Sequence, residues 1–370
     1  MTEESASTFP PLDAYGWDGD FAAAFSRYAA QGRTPGRIVR VDRGRCEVIV
    51  PDGPDVATVS ADTEPVLTRD PVKAVCTGDW AALDAAPGAD PVVRALLPRR
   101  TQFVRAASAR SEGQVLAANI DLAAITVSLA AEFDLGRLER FLSLAWTSGA
   151  QPVVVLTKAD LVADTTHLRA DAERAAPGVR VHCVSALTGD GLDALGADLA
   201  GRTCALIGQS GMGKSTLVNA LLGREAQAVS AVRDSDDKGR HTTTTRDLLL
   251  LPGGGVLIDT PGLRGVGLWE ADAGLSQAFA DIEELARYCR FQDCAHTAEP
   301  GCVVLGALEE GALSYRRYDS YRKLLQESAW IASRADARLR AELRGEWKDL
   351  TKAGREMYVR KRGGKHRKAF

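Results

Sequence analysis

The segment GQSGMGKST at residues 208–216 is the feature that most constrains the fold of this 370-residue chain. It fits the pattern G-x-x-x-x-G-K-[ST], follows the apolar run TCALIG and opens the helix-forming run STLVNALLG. In that context the glycines allow backbone N–H groups to surround a phosphate chain at a helix N-terminus. The pattern therefore predicts a P-loop within an α/β domain; an ordinary glycine-rich turn is the alternative.

The residues of this loop have separate expected roles in binding a nucleotide. Lys214 supplies positive charge to the β- and γ-phosphates and is a predicted catalytic residue, and the Ser215 hydroxyl is a predicted Mg²⁺ ligand. The other residues of the loop that we expect to contact the nucleotide are Gly208, Gln209, Ser210, Gly211, Met212, Gly213 and Thr216.

The motif DTPG at residues 259–262 ends the apolar run GVLID. An acidic residue at the end of a strand beside a P-loop can hold Mg²⁺ through its water shell. We therefore predict that Asp259 serves the metal and that the Gly262 N–H contacts the γ-phosphate.

The segment GRHTTTTR at residues 239–246 lies between the P-loop and DTPG, where a switch I threonine is expected. Thr244 is the predicted Mg²⁺ ligand, with Thr243 and Thr245 as alternatives. Leu263 stands where a glutamine orients the attacking water in many GTPases, so intrinsic hydrolysis should be slow. His241 is the predicted catalytic replacement; an ordinary loop position is the alternative.

Two motifs indicate that the base is guanine. In TKAD, at residues 157–160, a carboxylate can accept hydrogen bonds from guanine N1–H and the 2-amino group, which adenine does not match. The loop VSAL at 184–187 is expected behind the base. The predicted contacts are Thr157, Lys158, Ala159, Asp160, Ser185 and Ala186.

These motifs occur in an unusual order. TKAD and VSAL precede the P-loop, whereas DTPG follows it, so the GTPase motifs are circularly permuted. A permutation preserves a fold when the original termini lie close together. The segment after DTPG then leads directly into the C-terminal part of the chain.

A second cluster of functional residues lies in YCRFQDCAHTAEPGC. Cys289, Cys294, His296 and Cys302 offer three thiolates and one imidazole. This set matches a closed tetrahedral zinc site with a structural role; a chance cluster of buried thiols is the alternative.

Composition and charge suggest the compartment and the type of partner. The first twenty residues lack the features of a signal peptide, and no apolar run approaches the roughly 18 residues that span a bilayer, which predicts a cytoplasmic protein without membrane contact. The chain has a net charge of −3, yet residues 351–370 hold eight Lys or Arg and one Glu. Such a tail indicates a polyanionic partner; a merely solubilising tail is the alternative.

The sequence predicts a multi-domain chain. Short β-type runs (RIVRV, CEVIV, VATVS, VKAV, WAAL and VVRALL) suggest an OB-like β-barrel, followed by an α/β P-loop domain and a mostly helical zinc-binding domain. The predicted boundaries are 1–32 for an N-terminal extension, 33–98 for the barrel, 99–118 for a basic linker, 119–275 for the permuted GTPase domain, 276–350 for the zinc-binding domain and 351–370 for the basic tail.

With TGDW, TKAD–VSAL, GQSGMGKST, GRHTTT–DTPGL and the Cys/His motif together, the chain resembles the ribosome small-subunit-dependent GTPases of the RsgA/YjeQ family. The resemblance implies an OB domain, a permuted GTPase domain and a zinc domain. It also implies GTP, GDP and Mg²⁺ as ligands, one structural Zn²⁺, and GTP hydrolysis stimulated by the 30S subunit during its late maturation.

The expected partners are accordingly the 30S subunit and 16S rRNA, with the protein itself a monomer. Two alternatives stay open. One is a GTP-dependent RNA-binding module in which hydrolysis is incidental, and the other is a permuted GTPase that acts on a protein or a metabolite.

Overall fold

The computed structural model describes residues 9–85, 88–106, 113–225, 246–260 and 272–335. Several predictions concern positions outside the described residues: His241, Thr243, Thr244, Thr245, Gly262, Leu263 and the basic tail. The boundaries proposed for the domains stay predictions.

The N-terminal part of the chain forms a closed five-stranded barrel, which confirms the predicted OB-like architecture. All neighbouring strands are antiparallel except β3 and β5, which pair in parallel. Apolar side chains such as Ile38, Val48 and Val93 fill the interior of the barrel. The strands are β1 (Thr34–Val41), β2 (Arg45–Asp52), β3 (Asp55–Asp62), β4 (Trp80–Asp84) and β5 (Val92–Leu96).

The run VKAV at residues 72–75, which has the composition of a strand, forms turns and loop instead. Arg99 donates from its guanidinium to the carbonyl oxygens of Val72 and Ala74, each at 2.6 Å. A side-chain donor from a distant part of the chain thus takes acceptors that a neighbouring strand would otherwise use.

Helix α1 (Gly19–Ala29) belongs to the predicted N-terminal extension and packs against the barrel. The Asp18 carboxylate caps its first turn by accepting from the backbone N–H groups of Asp20 and Phe21. Trp17 meets Trp80 of β4 edge to face, with ring centroids 4.8 Å apart. Phe21 and Phe25 of the helix are buried as well, so α1 is part of the core.

The segment 99–118 was predicted as a basic linker, and this prediction is wrong for its two ends. Strands β6 (Gln102–Ala106) and β7 (Gly113–Ala118) pair as an antiparallel hairpin. Phe103 and Leu116 are buried, because the apolar residues of each strand pack against the neighbouring domain core although basic residues flank them.

The central domain contains a six-stranded sheet in the order β10-β9-β8-β11-β13-β12. All pairs are parallel except β12 and β13, which form the predicted hairpin at the Gly-rich turn. The strands are β8 (Leu122–Ser128), β9 (Gln151–Thr157), β10 (Arg180–Cys183), β11 (Thr203–Ile207), β12 (Leu248–Leu250) and β13 (Val256–Asp259). The four strands of this sheet that precede the P-loop, β8 to β11, therefore share one sheet with the two that follow it, which is the spatial arrangement of a permuted domain.

Helices complete the central domain and form the C-terminal part of the described chain. Those of the central domain are α2 (Leu135–Thr147), α3 (Thr166–Ala175), α4 (Leu192–Leu199) and α5 (Lys214–Leu222). The later ones are α6 (Asp272–Ala278), α7 (Ala280–Ala286), α8 (Val303–Glu309) and α9 (Tyr315–Ala335). None of the helices within the described ranges is long and apolar enough to cross a membrane.

A buried ion-pair network joins α9 to the central domain. Glu139 on α2 has no solvent exposure and accepts from Arg316 at 2.9 and 3.0 Å and from Arg317 at 2.8 Å. Arg317 also pairs with Asp281 of α7 at 2.7 Å. Because a buried carboxylate is stable only when it is fully paired, this network joins α7 and α9 to α2 of the central domain.

Candidate functional site: a P-loop pocket and a Cys/His cluster

The P-loop joins β11 to α5 in a conformation that requires glycine at two points. Gly208 has φ of +152°, and a Cβ there would lie 2.2 Å from the Thr126 hydroxyl oxygen. Gly213 has φ of +85° and caps the N-terminus of α5. Both positions leave the loop backbone free to turn its N–H groups inward, which is the arrangement that binds phosphates.

TKAD ends β9 and contacts the P-loop directly, although the two motifs lie about fifty residues apart in sequence. The Thr157 hydroxyl donates to the Met212 carbonyl oxygen at 2.7 Å, and Lys158 Nζ donates to the Gly211 carbonyl oxygen at 3.1 Å. Thr157 replaces the asparagine that is usual in this motif, and its hydroxyl supplies a contact between the two motifs.

The carboxylate of TKAD is held by the VSAL loop. The Ser185 hydroxyl donates to Asp160 Oδ1 at 2.6 Å, and the serine itself has no exposed surface. Asp160 is exposed at the end of the sheet, so its second oxygen can accept from a ligand. The hydroxyl fixes the orientation of a carboxylate that can then pair with two donors on one edge of a base.

Lys214 and Asp259 are both buried beside the P-loop, where the charge of each affects the other. Lys214 is 7% exposed, and its Nζ donates to the carbonyl oxygens of Gly208 at 2.9 Å and Gln209 at 2.7 Å. Burial lowers the pKa of Lys214 to about 8, against the opposing charge of Asp259. Burial likewise raises the pKa of Asp259 to about 6, partly offset by Lys214.

Asp259 Oδ1 is buried without a hydrogen-bond partner among the described residues. An orphaned carboxylate oxygen of this kind is costly unless a cation or water satisfies it. Ser215, half-buried in the first turn of α5, offers a hydroxyl oxygen next to the P-loop lysine. This donor set of hard oxygens fits Mg²⁺.

The four residues of the Cys/His motif come together as predicted. The possible ligand atoms of Cys289, Cys294, His296 and Cys302 lie within 4.8 Å of one another. Cys289 Sγ lies 3.8 Å from Cys302 Sγ and 3.7 Å from His296 Nδ1. A tetrahedral ion with Zn–S bonds of about 2.3 Å places its sulfur ligands about 3.8 Å apart, so the cluster could hold zinc.

The loop around the cluster is held by two residues that the sequence analysis did not single out. The Glu299 carboxylate accepts from the backbone N–H groups of Ala298, Thr297 and Ala295, which lower its pKa to about 2. Tyr318 of α9 donates from its hydroxyl to the His296 carbonyl oxygen. An acidic residue within the turn-forming TAEPG was the only sequence signal for this support.

The sequence analysis also missed contacts between the barrel and the hairpin that carries Asp259. Arg40 of β1 pairs with Asp247 at 2.6 Å, and the Thr77 hydroxyl donates to the Arg246 carbonyl oxygen at 3.0 Å. Asp259 N in turn donates to the Asp247 carbonyl oxygen at 3.2 Å. The barrel therefore contacts the strand pair that carries Asp259.

A P-loop, a guanine-type TKAD loop and this strand order define a circularly permuted P-loop GTPase. The sequence profile of the RsgA GTPase family matches residues 96–269. A protein of Streptomyces avermitilis named "Small ribosomal subunit biogenesis GTPase RsgA" is 59% identical and aligns with 97% of this chain and 96% of its own. The chain belongs to the RsgA GTPase family and is a GTP hydrolase.

Further relatives agree with this assignment. A protein of the same name from Streptomyces coelicolor is 58% identical over 98% of this chain and 100% of its own. The crystal structure of YjeQ from Thermotoga maritima superposes with a TM-score of 0.59, at 24% identity, over 80% of this chain and 98% of that one. This structural similarity supports the three-part permuted fold.

The Lys214–Asp259 pair predicts how the affinity for GDP and Mg²⁺ depends on pH. The ligand favours charged Lys214 and charged Asp259, so affinity should rise as pH increases through about 6 and fall as pH increases beyond about 8. Calorimetric titration with GDP and Mg²⁺ between pH 5 and pH 9 measures both limits. Asp259→Asn is the control. The change in affinity that comes from protonation of the nucleotide should persist, whereas the loss of affinity below about pH 6 that comes from Asp259 should disappear. The same loss of affinity at low pH in both proteins would contradict the role assigned to Asp259.

Proposed function

We propose that this GTPase binds the small ribosomal subunit, that the subunit stimulates its hydrolysis of GTP, and that it acts in late 30S maturation. The observation that carries the proposal is the near-full-length match to relatives named for small-subunit biogenesis. The proposed RNA contact is 16S rRNA, and the protein is proposed to work as a cytoplasmic monomer.

The geometry supports a definite role for each part of the pocket. Asp160, oriented by Ser185, reads guanine, while Thr157 and Lys158 hold the base loop against the P-loop. Ala159 and Ala186 line the same two loops. The P-loop residues Gly208, Gln209, Ser210, Gly211, Met212, Gly213 and Thr216 surround the phosphates.

Catalysis is assigned to positive charge placed beside the β- and γ-phosphates of the bound nucleotide. Lys214 stabilises charge that develops on the β- and γ-phosphates, and Ser215, Asp259 and Thr244 would hold Mg²⁺. Bound Mg²⁺ would supply further positive charge at the phosphates. His241 and the N–H of Gly262, which lie outside the described residues, are proposed to complete the site for the attacking water.

The Cys/His cluster is proposed to hold one structural Zn²⁺. The spacing of its sulfur and nitrogen atoms suits a tetrahedral ion, and all four positions are filled by protein ligands, which excludes an open site for substrate. Burial lowers the pKa of His296, which favours the neutral imidazole that a metal requires. Zinc here would fix the loop between α7 and α8 against α9.

Replacing Cys294 by serine should abolish stoichiometric zinc binding, because one thiolate of a four-ligand site is lost. Elemental analysis of protein purified without chelator should give about one zinc per wild-type chain and far less in the variant. Binding of GDP should be little changed, since the cluster lies outside the nucleotide pocket. Cys183→Ser, at a half-buried cysteine outside the cluster, is the matched control and should retain zinc. Zinc-free wild-type protein would refute the proposal.

The test of the proposed function is GTP turnover with and without purified 30S subunits. Because Leu263 cannot orient the attacking water, turnover by the protein alone should be slow, and saturating subunits should raise it by about tenfold or more. Co-sedimentation with the subunit in the presence of a non-hydrolysable GTP analogue should accompany the stimulation. Binding without stimulation would favour the alternative of a GTP-dependent RNA-binding module, and absence of both would contradict a ribosomal role.

A further inference from the structure

A cavity of about 270 Å³ lies between the barrel, the β6–β7 hairpin and the residue that leads into β12. Part of its wall is apolar, from residues such as Val41, Val75 and Val115. Gln114 and the guanidinium-bearing Arg246 add polar groups. The cavity is separate from the nucleotide pocket, although Arg246 directly precedes Asp247 of the hairpin that carries Asp259.

Arg246 lines this cavity, and Arg105 is bonded to Gln114, which lines it as well. Arg105 of β6 donates from Nη2 to Gln114 Oε1 at 3.1 Å, and the Nε atoms of Arg105 and Arg246 are buried without a hydrogen-bond partner. Burial lowers the pKa of Arg246; the nearby Cys76 thiol opposes this shift, and the Arg105 cation adds to it. Within the described ranges no carboxylate forms an ion pair with either guanidinium.

This arrangement differs from that of other buried arginines in the protein. Arg99 pairs with Asp79 at 2.7 Å, and Arg317 pairs with Glu139 and Asp281. Two nearby cations repel each other, and a half-buried cation loses hydration that no carboxylate among the described residues replaces here. An anion between Arg105 and Arg246 would remove both costs.

We propose that this cavity is a binding site for a phosphate group, held by Arg105 and Arg246. Planar guanidinium groups bind phosphate oxygens through two parallel N–H donors, and the volume suits a phosphate with part of its attached sugar. The phosphate comes either from an RNA backbone or from a free anion. The RNA source rests on the proposed ribosomal function, whereas the free-anion source does not.

The position of the site connects it to the nucleotide pocket. The Thr77 hydroxyl holds the Arg246 carbonyl oxygen, and Arg40 holds the adjacent Asp247. Asp247 is in turn bonded through its carbonyl oxygen to the backbone of Asp259. A phosphate bound to Arg246 would therefore brace the hairpin that carries the metal carboxylate.

The first measurement uses inorganic phosphate and protein saturated with GDP and Mg²⁺, so that the P-loop is already filled. At constant ionic strength, phosphate at ten times its Kd should raise the Tm of the wild type by about 2 °C or more. The double variant Arg105→Gln, Arg246→Gln should lose this increase. Arg94→Gln, which removes an arginine that is paired with Asp84 on the barrel, is the control and should keep it.

The variant is expected to fold, because it removes two cations that repel each other. Arg246→Lys, which keeps the charge but not the planar fork, provides a second variant and should retain part of the increase in Tm. Equal stabilisation of the wild type and the double variant by phosphate would overturn the proposal, as would no stabilisation of the wild type beyond that of chloride.

The second measurement separates the two sources of phosphate. Affinity for 30S subunits is measured between 50 and 200 mM salt, and loss of one RNA phosphate contact should make the double-logarithmic slope shallower by about 1. A shallower slope in the double variant assigns the site to RNA; an unchanged slope with loss of the phosphate-dependent Tm increase assigns it to a free anion. Wild-type protein that fails to bind subunits refutes the proposed function and leaves the first measurement valid.

Discussion

Replacing Lys214 by glutamine is expected to lower the rate of GTP hydrolysis by about 10²–10³-fold. The Nζ atom lies in the P-loop, where it already donates to the carbonyl oxygens of Gly208 and Gln209 and retains one further proton for a phosphate. Glutamine can replace part of the hydrogen bonding but none of the charge. Single-turnover hydrolysis with saturating GTP measures the loss.

The same substitution should change the stability of the protein only slightly, because it has two opposing effects. It removes a desolvated cation, whose pKa burial lowers to about 8, but it also takes away the charge that opposes the buried Asp259. The Tm of the nucleotide-free variant should therefore stay close to that of the wild type. Lys323→Gln, which removes an exposed lysine paired with Asp319 on α9, is the control and should hydrolyse GTP normally. A fully active Lys214→Gln protein would show that the lysine does not serve the phosphates.

The nucleotide pocket was predictable because its chemistry is local. The backbone of GQSGMGKST needs glycines at fixed positions, and TKAD must follow a strand, so each motif carries its own structural context. The contact between them was not visible in the sequence. Only the fold brings the Thr157 hydroxyl within 2.7 Å of the Met212 carbonyl oxygen, across a sheet assembled from segments on both sides of the P-loop.

The errors of the sequence analysis have long-range causes. In residues 99–118 several basic residues interrupt the alternation of apolar and polar residues that is typical of a strand. The sequence therefore indicated a linker, although Phe103 and Leu116 are buried in a hairpin. The run VKAV has the composition of a strand, yet Arg99, more than twenty residues away, takes its carbonyl groups. Neither effect leaves a periodic signal, because each depends on which surface the segment meets after folding.

The contacts between domains were equally hidden. Arg40 and Asp247 are separated by about two hundred residues, and neither belongs to a nucleotide-binding motif. Their ion pair connects the barrel to the hairpin of Asp259, and the phosphate-binding site proposed at Arg246 lies next to it. The barrel is therefore in direct contact with the strand pair that carries Asp259, the proposed magnesium ligand.

Replacing Asp160 by asparagine is expected to change the preferred nucleotide from GTP to xanthosine triphosphate. The carboxylate accepts from two guanine donors, each worth about 1.5–3 kcal/mol because the acceptor is charged, so GTP affinity should fall by about 10²–10⁴-fold. Xanthine has a carbonyl oxygen where guanine has the 2-amino group, and it can accept from the new amide. The variant should therefore bind and hydrolyse xanthosine triphosphate better than GTP.

A matched control separates recognition of the base from support of the loop. Ser185→Ala removes the hydroxyl that donates to Asp160 Oδ1 but leaves the charge in place. Its affinity for GTP should fall by only about tenfold, because one hydrogen bond that orients the carboxylate is lost. Its preference for guanine over xanthine should remain, because the carboxylate is still present. Competition of unlabelled GTP and xanthosine triphosphate against a fluorescent GDP analogue measures both variants in one assay. If Asp160→Asn retains wild-type affinity for GTP, TKAD does not read the base, and guanine must be recognised elsewhere in the pocket.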